Sequence, residues 1–459
     1  MFGILVIIVA LLGMMFLAYR GLSLLLLAPA LALLAVWASQ GGPLLASYTQ
    51  IFMRSTGEFI IQFFPLFMLG AVFGKLIEVS GSAQVIAKAI TSGLGPDRAI
   101  LAVILTCALM TYGGVSLFVV AFAVWPIASA LFRESGLPKV LIPATIALGA
   151  FTFTMTALPG TPAIQNSIPM PYFGTTTFAA PGLGLITGTL MFALGWAWLE
   201  WRARRMGPAP WQDATPVKDT LAHSVPSLAV ALAPLVLVLV LNLGFTFVII
   251  PRMNTDYLAW PEFGEADVVS LRGVWSIIAA LTIASLTLVA LNWRRLSDGL
   301  SRTLDEGAKD SLKPIFNTAS LVGFGTVIAS LPAFSLIRDW VVTIGGDNPL
   351  ISLAVGTNIL AGMTGSASGG MSIALSTLGE TYMQMGQEAG ISPDLLHRVT
   401  AVATGGLDAL PHNGAVITLL AICGLTHREA YKDIAVVAML IPIISLILLV
   451  TIGTFFGSF

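Results

Sequence analysis

Long apolar runs, interrupted at a few marked places, organise this chain. Residues 2–19 and 21–38 are apolar and separated by Arg20 alone. A third run extends from Gly57 to Glu78, enough at about 1.5 Å per residue to cross about 30 Å of hydrocarbon. Residues 80–98 are more polar and carry Lys88 and Arg98. Ala99 to Phe132 is too much chain for one span. Its interruption at Thr111-Tyr112-Gly113-Gly114 predicts a re-entrant helical hairpin with the glycines at its tip. Arg133 to Lys139 returns to water. Val140 to Ala157 predicts a half-span that stops at Leu158-Pro159-Gly160-Thr161-Pro162, because Pro removes a helix donor and clashes with the preceding turn. A polar-spotted stretch through Asn166 and Thr175 leads to a span over Leu183 to Trp201.

Trp201 to Thr220 holds Arg202, Arg204, Arg205 and several prolines and reads as a linker. After it the plan recurs. Spans are expected at about 226–250, 274–292 and 315–341. A second hairpin covers about 348–379, with its tip at Thr364-Gly365-Ser366-Ala367-Ser368-Gly369-Gly370. A polar stretch over 380–398 precedes a broken span from Val399 to Leu425, interrupted at Pro411-His412-Asn413-Gly414, and Ile434 to Phe456 follows. Two echoes point to an internal duplication. Ala157-Leu158-Pro159 returns as Ala409-Leu410-Pro411, 252 positions on, and Gly113-Gly114-Val115-Ser116 is answered by Gly369-Gly370-Met371-Ser372, 256 positions on. The expected fold is an all-α polytopic membrane protein of about ten spans and two hairpins. Residues 1–204 form one repeat, 205–222 a cytoplasmic linker and 223–459 an inverted repeat, each with five spans and one re-entrant hairpin.

Composition agrees. Of 459 residues, 56% are hydrophobic and 10% charged, against roughly 25% charged in soluble domains. A net charge of −1 gives no footprint for nucleic acid. Cys107 and Cys423 lie in apolar segments and read as buried thiols with no disulfide or metal role. Met1 to Tyr19 lacks a basic leader and a clear cleavage site, so it is expected to be a retained span. With the N-terminus outside, the 22 Lys and Arg residues fall in cytoplasmic loops except Arg54, Arg252, Arg272, Arg338 and Arg398, a strong positive-inside bias. An odd number of spans per repeat then inverts the second repeat, and the two tips can meet near the midplane.

Broken helices in hydrocarbon are tolerated only where the freed backbone is buried in protein or lines a wet cavity. Matching breaks in two halves are the best sequence pointer to a transporter's binding site. Freed helix N-termini suit a carboxylate and freed carbonyls a cation. The candidate substrate-binding residues are Gly113, Gly114 and Ser116 at the first tip and Gly160 and Thr161 at the first break. At the second tip they are Thr364, Gly365, Ser366, Ser368, Gly369 and Ser372, and at the second break His412, Asn413 and Gly414. A plain alternative for the Gly/Ser turn is close helix packing; its duplicated placement favours a site. Asp408 and His412 are the ionisable residues expected deepest in the membrane, where such groups line pathways or proton relays. Gln165 and Asn166 either reach the site or cap backbone groups. His223, His397 and His427 lie in or beside loops and receive no role. Neither a Walker A motif nor HExxH is present, and no cofactor or metal is expected. Two other classes stay open: an intramembrane hydrolase using Ser368 and His412, and an anion channel.

Three stretches resemble the gluconate permease (GntP) family, and the similarity runs along most of the chain. They are Tyr112-Gly113-Gly114-Val115-Ser116-Leu117-Phe118-Val119-Val120, Leu158-Pro159-Gly160-Thr161-Pro162-Ala163-Ile164-Gln165-Asn166 and Leu407-Asp408-Ala409-Leu410-Pro411-His412-Asn413-Gly414. That family belongs to the ion transporter superfamily of inverted-repeat secondary carriers. The resemblance implies two re-entrant hairpins, a homodimer, elevator-type movement and proton-coupled uptake of small hydroxy-carboxylates. Gluconate is the type substrate, and this branch looks more like permeases for short acids such as 3-hydroxybutyrate. The expected function is a secondary symporter of the bacterial inner membrane for a small organic anion, driven by H+ or alternatively Na+.

Overall fold

The computed structural model describes residues 2–208, 225–264, 266–346 and 348–459. Residues 209–222 of the expected linker, including Lys218, lie outside them, as do His223 and Glu265. The described residues form helices, turns and coil. Eight helices are long and apolar enough to cross a membrane, or up to ten when each of two bent pairs counts as one span. The chain is an all-α polytopic membrane protein, as the hydrophobic pattern predicts.

Two apolar helices, α1 (Phe2–Tyr19) and α2 (Leu24–Gln40), precede the long helix α3 (Leu44–Val79). Next, α4 (Ser82–Leu94) meets α5 (Pro96–Tyr112) at 104°. A turn at Gly113–Ser116 leads into α6 (Leu117–Glu134), then α7 (Lys139–Thr156). Short helices α8 (Ile164–Ser167) and α9 (Pro169–Phe173) follow the first break, and α10 (Pro181–Met206) completes the set. The same order returns. An apolar pair, α11 (Leu228–Arg252) and α12 (Val268–Leu291), precedes the long α13 (Trp293–Ala329). Helices α14 (Phe334–Thr343), α15 (Pro349–Thr364) and α16 (Ala367–Glu388) are next. The broken pair α17 (Pro393–Ala409) and α18 (Gly414–Cys423) bends by 55°, and α19 (His427–Phe456) follows.

The corresponding long helices α3 and α13 lie side by side and run antiparallel. Thr56 Oγ1 donates to Ala319 O at 3.3 Å near one end, and Lys75 Nζ pairs with Glu306 Oε2 at 3.4 Å near the other. Gly323 lets the backbones approach: a side chain there would strike Thr56 Oγ1 and come within 2.8 Å of Phe52 O. Each leading pair packs on the other set's long helix. Ala28, Leu31 and Ala35 of α2 share a core with Leu321, Phe324 and Ile328 of α13, while α12 lies against α3.

Several expected boundaries move. The run expected at 315–341 is instead α13, which begins earlier and stops at Ala329, with α14 separate. Residues 300–314 continue the helix because their charges pair one turn apart, Arg302 with Glu306 at 2.7 Å and Lys309 with Asp305 at 2.6 Å. Pro332 then prevents continuation. The second hairpin's return arm runs to Glu388 rather than 379, and the second broken span starts at Pro393 rather than near 399. Arg398, expected in an outside loop, is therefore helical and wholly buried. The first hairpin turn falls where expected, but α6 alone is long and apolar enough to cross.

The seam between α3 and α13 yields a prediction. Gly323→Leu should overpack it and lower stability by about 1–3 kcal/mol. Gly70, on α3, has open space around it, so Gly70→Leu should melt like the unsubstituted protein. Thermal melting of the detergent-solubilised variants makes the comparison, and equal melting of both would contradict the close approach.

Candidate functional site

The first break follows from Pro159 and Pro162, and several of the groups it frees are engaged by side chains and by Thr177 O. Gly160 N donates to Thr177 O at 2.9 Å, and Gly160 O accepts from Asn242 Nδ2 at 3.1 Å. The Tyr112 hydroxyl, at the first tip, donates to Pro159 O at 2.6 Å. Asn166 Nδ2 donates to Thr161 O at 3.1 Å and Thr177 O at 2.9 Å. Of the two readings of Asn166, this geometry is that of a backbone cap. Thr161 is fully buried, and its Oγ1 accepts from Ala163 N at 3.4 Å.

Arg398 completes this break from the other half of the chain. Its guanidinium is entirely buried and directs every N–H at an acceptor. Nε and one terminal nitrogen donate to Ala179 O at 3.1 and 2.7 Å. The other terminal nitrogen donates to Thr156 O and Asn166 Oδ1, both at 2.9 Å, and Thr177 O lies 3.3 Å from the first. A planar, five-donor fork suits such a fan of carbonyls. His397, also fully buried, contacts Thr175 Oγ1 at 2.6 Å through Nδ1 and Asn166 Oδ1 at 3.2 Å through Nε2.

The second break is built differently. Leu407 N donates to Asn358 Oδ1 at 2.9 Å, and the Tyr431 hydroxyl donates to Ala409 O at 3.0 Å. His427 Nε2 donates to Pro411 O at 2.9 Å, so this histidine, given no role from sequence, holds a break carbonyl. Asn413 donates to Asp408 O at 2.7 Å and to Gly365 O at 3.0 Å, and accepts from Ala415 N and Val416 N at the start of α18. His412 is half-buried over Gly365, where a methyl group would lie 2.7 Å from His412 Cδ2, and its Nε2 is buried without a partner. Asp408 is half-buried and its carboxylate is in no ion pair among the described residues.

The two breaks adjoin: a methyl group on Gly405 would touch Thr156 Cγ2 at 3.5 Å. Each tip sits on its own break, Gly114 against Pro162 and Gly365 against His412. Ser116 begins α6 without bonding its backbone, so that helix start has no side-chain cap. Ser366 Oγ accepts from Gly369 N at 3.1 Å, and Ser368 Oγ lies 3.3 Å from Thr318 Oγ1. Ser372 is fully buried with an unpartnered Oγ. The second turn is only Gly365-Ser366, so Ser368, Gly369 and Ser372 belong to α16. Four other candidates face elsewhere or bond inward. Gly113 abuts Leu235 on α11, Gly369 abuts Leu321 on α13, Gly414 is exposed, and the Thr364 hydroxyl is within bonding distance of carbonyls of its own turn. Ser368 and His412 make no hydrogen bond to each other, so the pair a serine hydrolase needs is not formed.

Sequence reasoning missed Arg398, His397, Asn242, Asn358 and Tyr431. The available signal was a polar residue inside an otherwise apolar segment, as at Asn242 and Asn358. Arg398→Met should leave buried carbonyls unpaired and cost about 3–5 kcal/mol, as breaking a buried charged network does. Arg398→Lys, with a single nitrogen to offer, should recover only part. Melting temperatures of the two variants test the clamp, which a wild-type value for the Met variant would refute.

No protein-family model matches the chain. The uncharacterized transporter YxjC of Bacillus subtilis (strain 168) is 44% identical over 459 residues, spanning 95% of this chain and 96% of that protein. The crystal structure of the Alcanivorax borkumensis YdaH transporter superposes with a TM-score of 0.57 over 90% of both chains at 15% identity, a likeness of fold alone. With its breaks and tips set in a transporter-like fold and its sequence matched from end to end, the chain belongs to the transporter family of YxjC.

Proposed function

We propose that this transporter is a secondary symporter for a small organic carboxylate, a hydroxy acid such as gluconate or 3-hydroxybutyrate, coupled to protons. In this reading residues 1–204 and 223–459 are inverted repeats joined by the linker at 205–222, and the protein works as an elevator-type homodimer of the gluconate permease kind. The observation that carries it is the contrast between the breaks. Both breaks have carbonyls engaged by side chains, and the second adds a carboxylate and an unpartnered imidazole nitrogen beside a hairpin tip. Ionisable groups inside a membrane domain mark ion pathways, and carboxylates and imidazoles are the side chains suited to take up and release a proton.

The roles divide by chemistry. The uncapped start of α6 at Ser116 and the hydroxyls of Ser366 and Ser368 suit an anion with hydroxyl groups. Asp408 and His412 suit the coupling proton, with Na+ as the competing ion. Gly160, Thr161, Asn166 and Asn413 hold the breaks in shape, so their part in binding is indirect.

Uptake of labelled hydroxy acids into proteoliposomes under an imposed inward proton gradient tests the proposal. Accumulation should follow the gradient and collapse with a protonophore; failure to concentrate any hydroxy acid under either ion gradient would reject symport. His412→Ala and Asp408→Asn should each slow gradient-driven uptake by about tenfold or more, equivalent to about 1.4 kcal/mol. Wild-type uptake by either variant would remove that residue from the coupling scheme.

A further inference from the structure

A cavity of about 320 Å³ lies away from the breaks, between α3 and α13 on one side and α9 and α16 on the other. Its polar lining is Ser55, Glu58, Gln62, Tyr172, Thr326 and Ser376. Ser55, Gln62 and the Tyr172 hydroxyl make no hydrogen bond to another described residue. Glu58 is neutralised by Arg54 at 3.0 Å, and both side chains are largely exposed. The chamber therefore offers an amide and hydroxyls with bonding capacity to spare and little net charge.

Two helices connect it to the second tip. On α16, Ser376, Ser372 and Ser368 follow one another at one-turn spacing and so share a face. On α13, Thr326 and Thr318 lie eight residues apart, about 12 Å along a helix. Thr318 Oγ1 meets Ser368 Oγ at 3.3 Å, while Thr326 and Ser376 both line the cavity. The two helices thus run in the same direction, with hydroxyls meeting at the tip end and lining the cavity at the other, where Thr326 and Ser376 each donate to their own helix and keep acceptor capacity. Between those ends Ser372 is 0% exposed and its hydroxyl has no partner. An unbonded hydroxyl buried that deeply is costly unless water or a passing solute satisfies it.

We propose that the cavity is a loading subsite for a small hydroxylated carboxylate and that the hydroxyl file of α13 and α16 leads it to the second tip. The proposal rests on the symport reading for the identity of the solute. The path itself is tested without transport.

Cys107 and Cys423 are both buried, so the natural chain gives a low background for thiol labelling. Single substitutions Ser376→Cys, Thr326→Cys and Ser372→Cys would be made in the full-length protein in liposomes. A charged methanethiosulfonate reagent would be supplied on both faces, and Leu286→Cys would be the control, since Leu286 is 66% exposed on the apolar surface. Thiolates react and lipid-facing thiols stay protonated, so the cysteines at 376 and 326 should label at least about tenfold faster than the one at 286. The cysteine at 372 should label more slowly than these two but faster than the control. Labelling at 376 and 326 no faster than at 286 would overturn the path, whatever the protein transports. Millimolar gluconate or 3-hydroxybutyrate should slow labelling at 376. Unprotected labelling by both acids would overturn the loading subsite while leaving the symport reading to its own uptake assay. Ser376→Trp should retain a wild-type melting temperature yet lose uptake, and full uptake by this variant would also overturn the path.

Discussion

The structure depends on how it satisfies backbone groups that cannot reach water. Pro159, Pro162 and Pro411 interrupt helices inside apolar segments, and each interruption releases carbonyls and N–H groups into a medium with nothing to bond them. The described residues answer with side chains, some from within the break and others from distant parts of the chain. Arg398, Asn242, Asn166 and Tyr112 take up the first break, and Asn358, Tyr431, His427 and Asn413 take up the second. Since Arg398 belongs to α17 and serves the first break, the two sets of helices share one buried polar network.

The two breaks carry unlike chemistry within a like frame. A fixed guanidinium surrounded by carbonyls fastens the first, and a guanidinium does not titrate in the physiological range. The second is fastened by amides, a phenol and an imidazole, beside the Asp408 carboxylate and a second imidazole whose Nε2 is buried without a partner. Both sides carry an imidazole: His397 at the first is bonded to Thr175 and Asn166, whereas His412 at the second has a buried Nε2 without a partner. The antiparallel seam of α3 and α13 joins the two sets of helices, and its tightest point is Gly323 against Phe52 and Thr56.

Much of the frame was readable in the sequence because its signals are local. Runs of apolar residues give the spans, Pro159 and Pro411 fall at real breaks, and Gly113-Gly114 and Gly365 fall at real turns. What could not be read is long-range. A charged residue at 398 looks like a loop residue by composition, and only the fold reveals that carbonyls of residues 156, 177 and 179 converge on it. The ends of α13 and α16 were misjudged for a related reason: polar residues continue these helices through ion pairs and capping, which hydropathy does not register. Among the site residues, the small ones were ambiguous. Gly369 and Gly113 are small because another helix presses on them, whereas Gly365 is small because an imidazole lies across it.

The bonds from Tyr112 to Pro159 and from Asn413 to Gly365 have a mechanical consequence. Each hairpin is latched at its apex to the unwound segment beside it. Neither apex can swing aside alone, as a lid would, without breaking its latch. Anything lodged there is freed either by unfastening one short bond or by carrying hairpin and unwound segment away together, and the first route frees a backbone carbonyl that no other bond among the described residues satisfies.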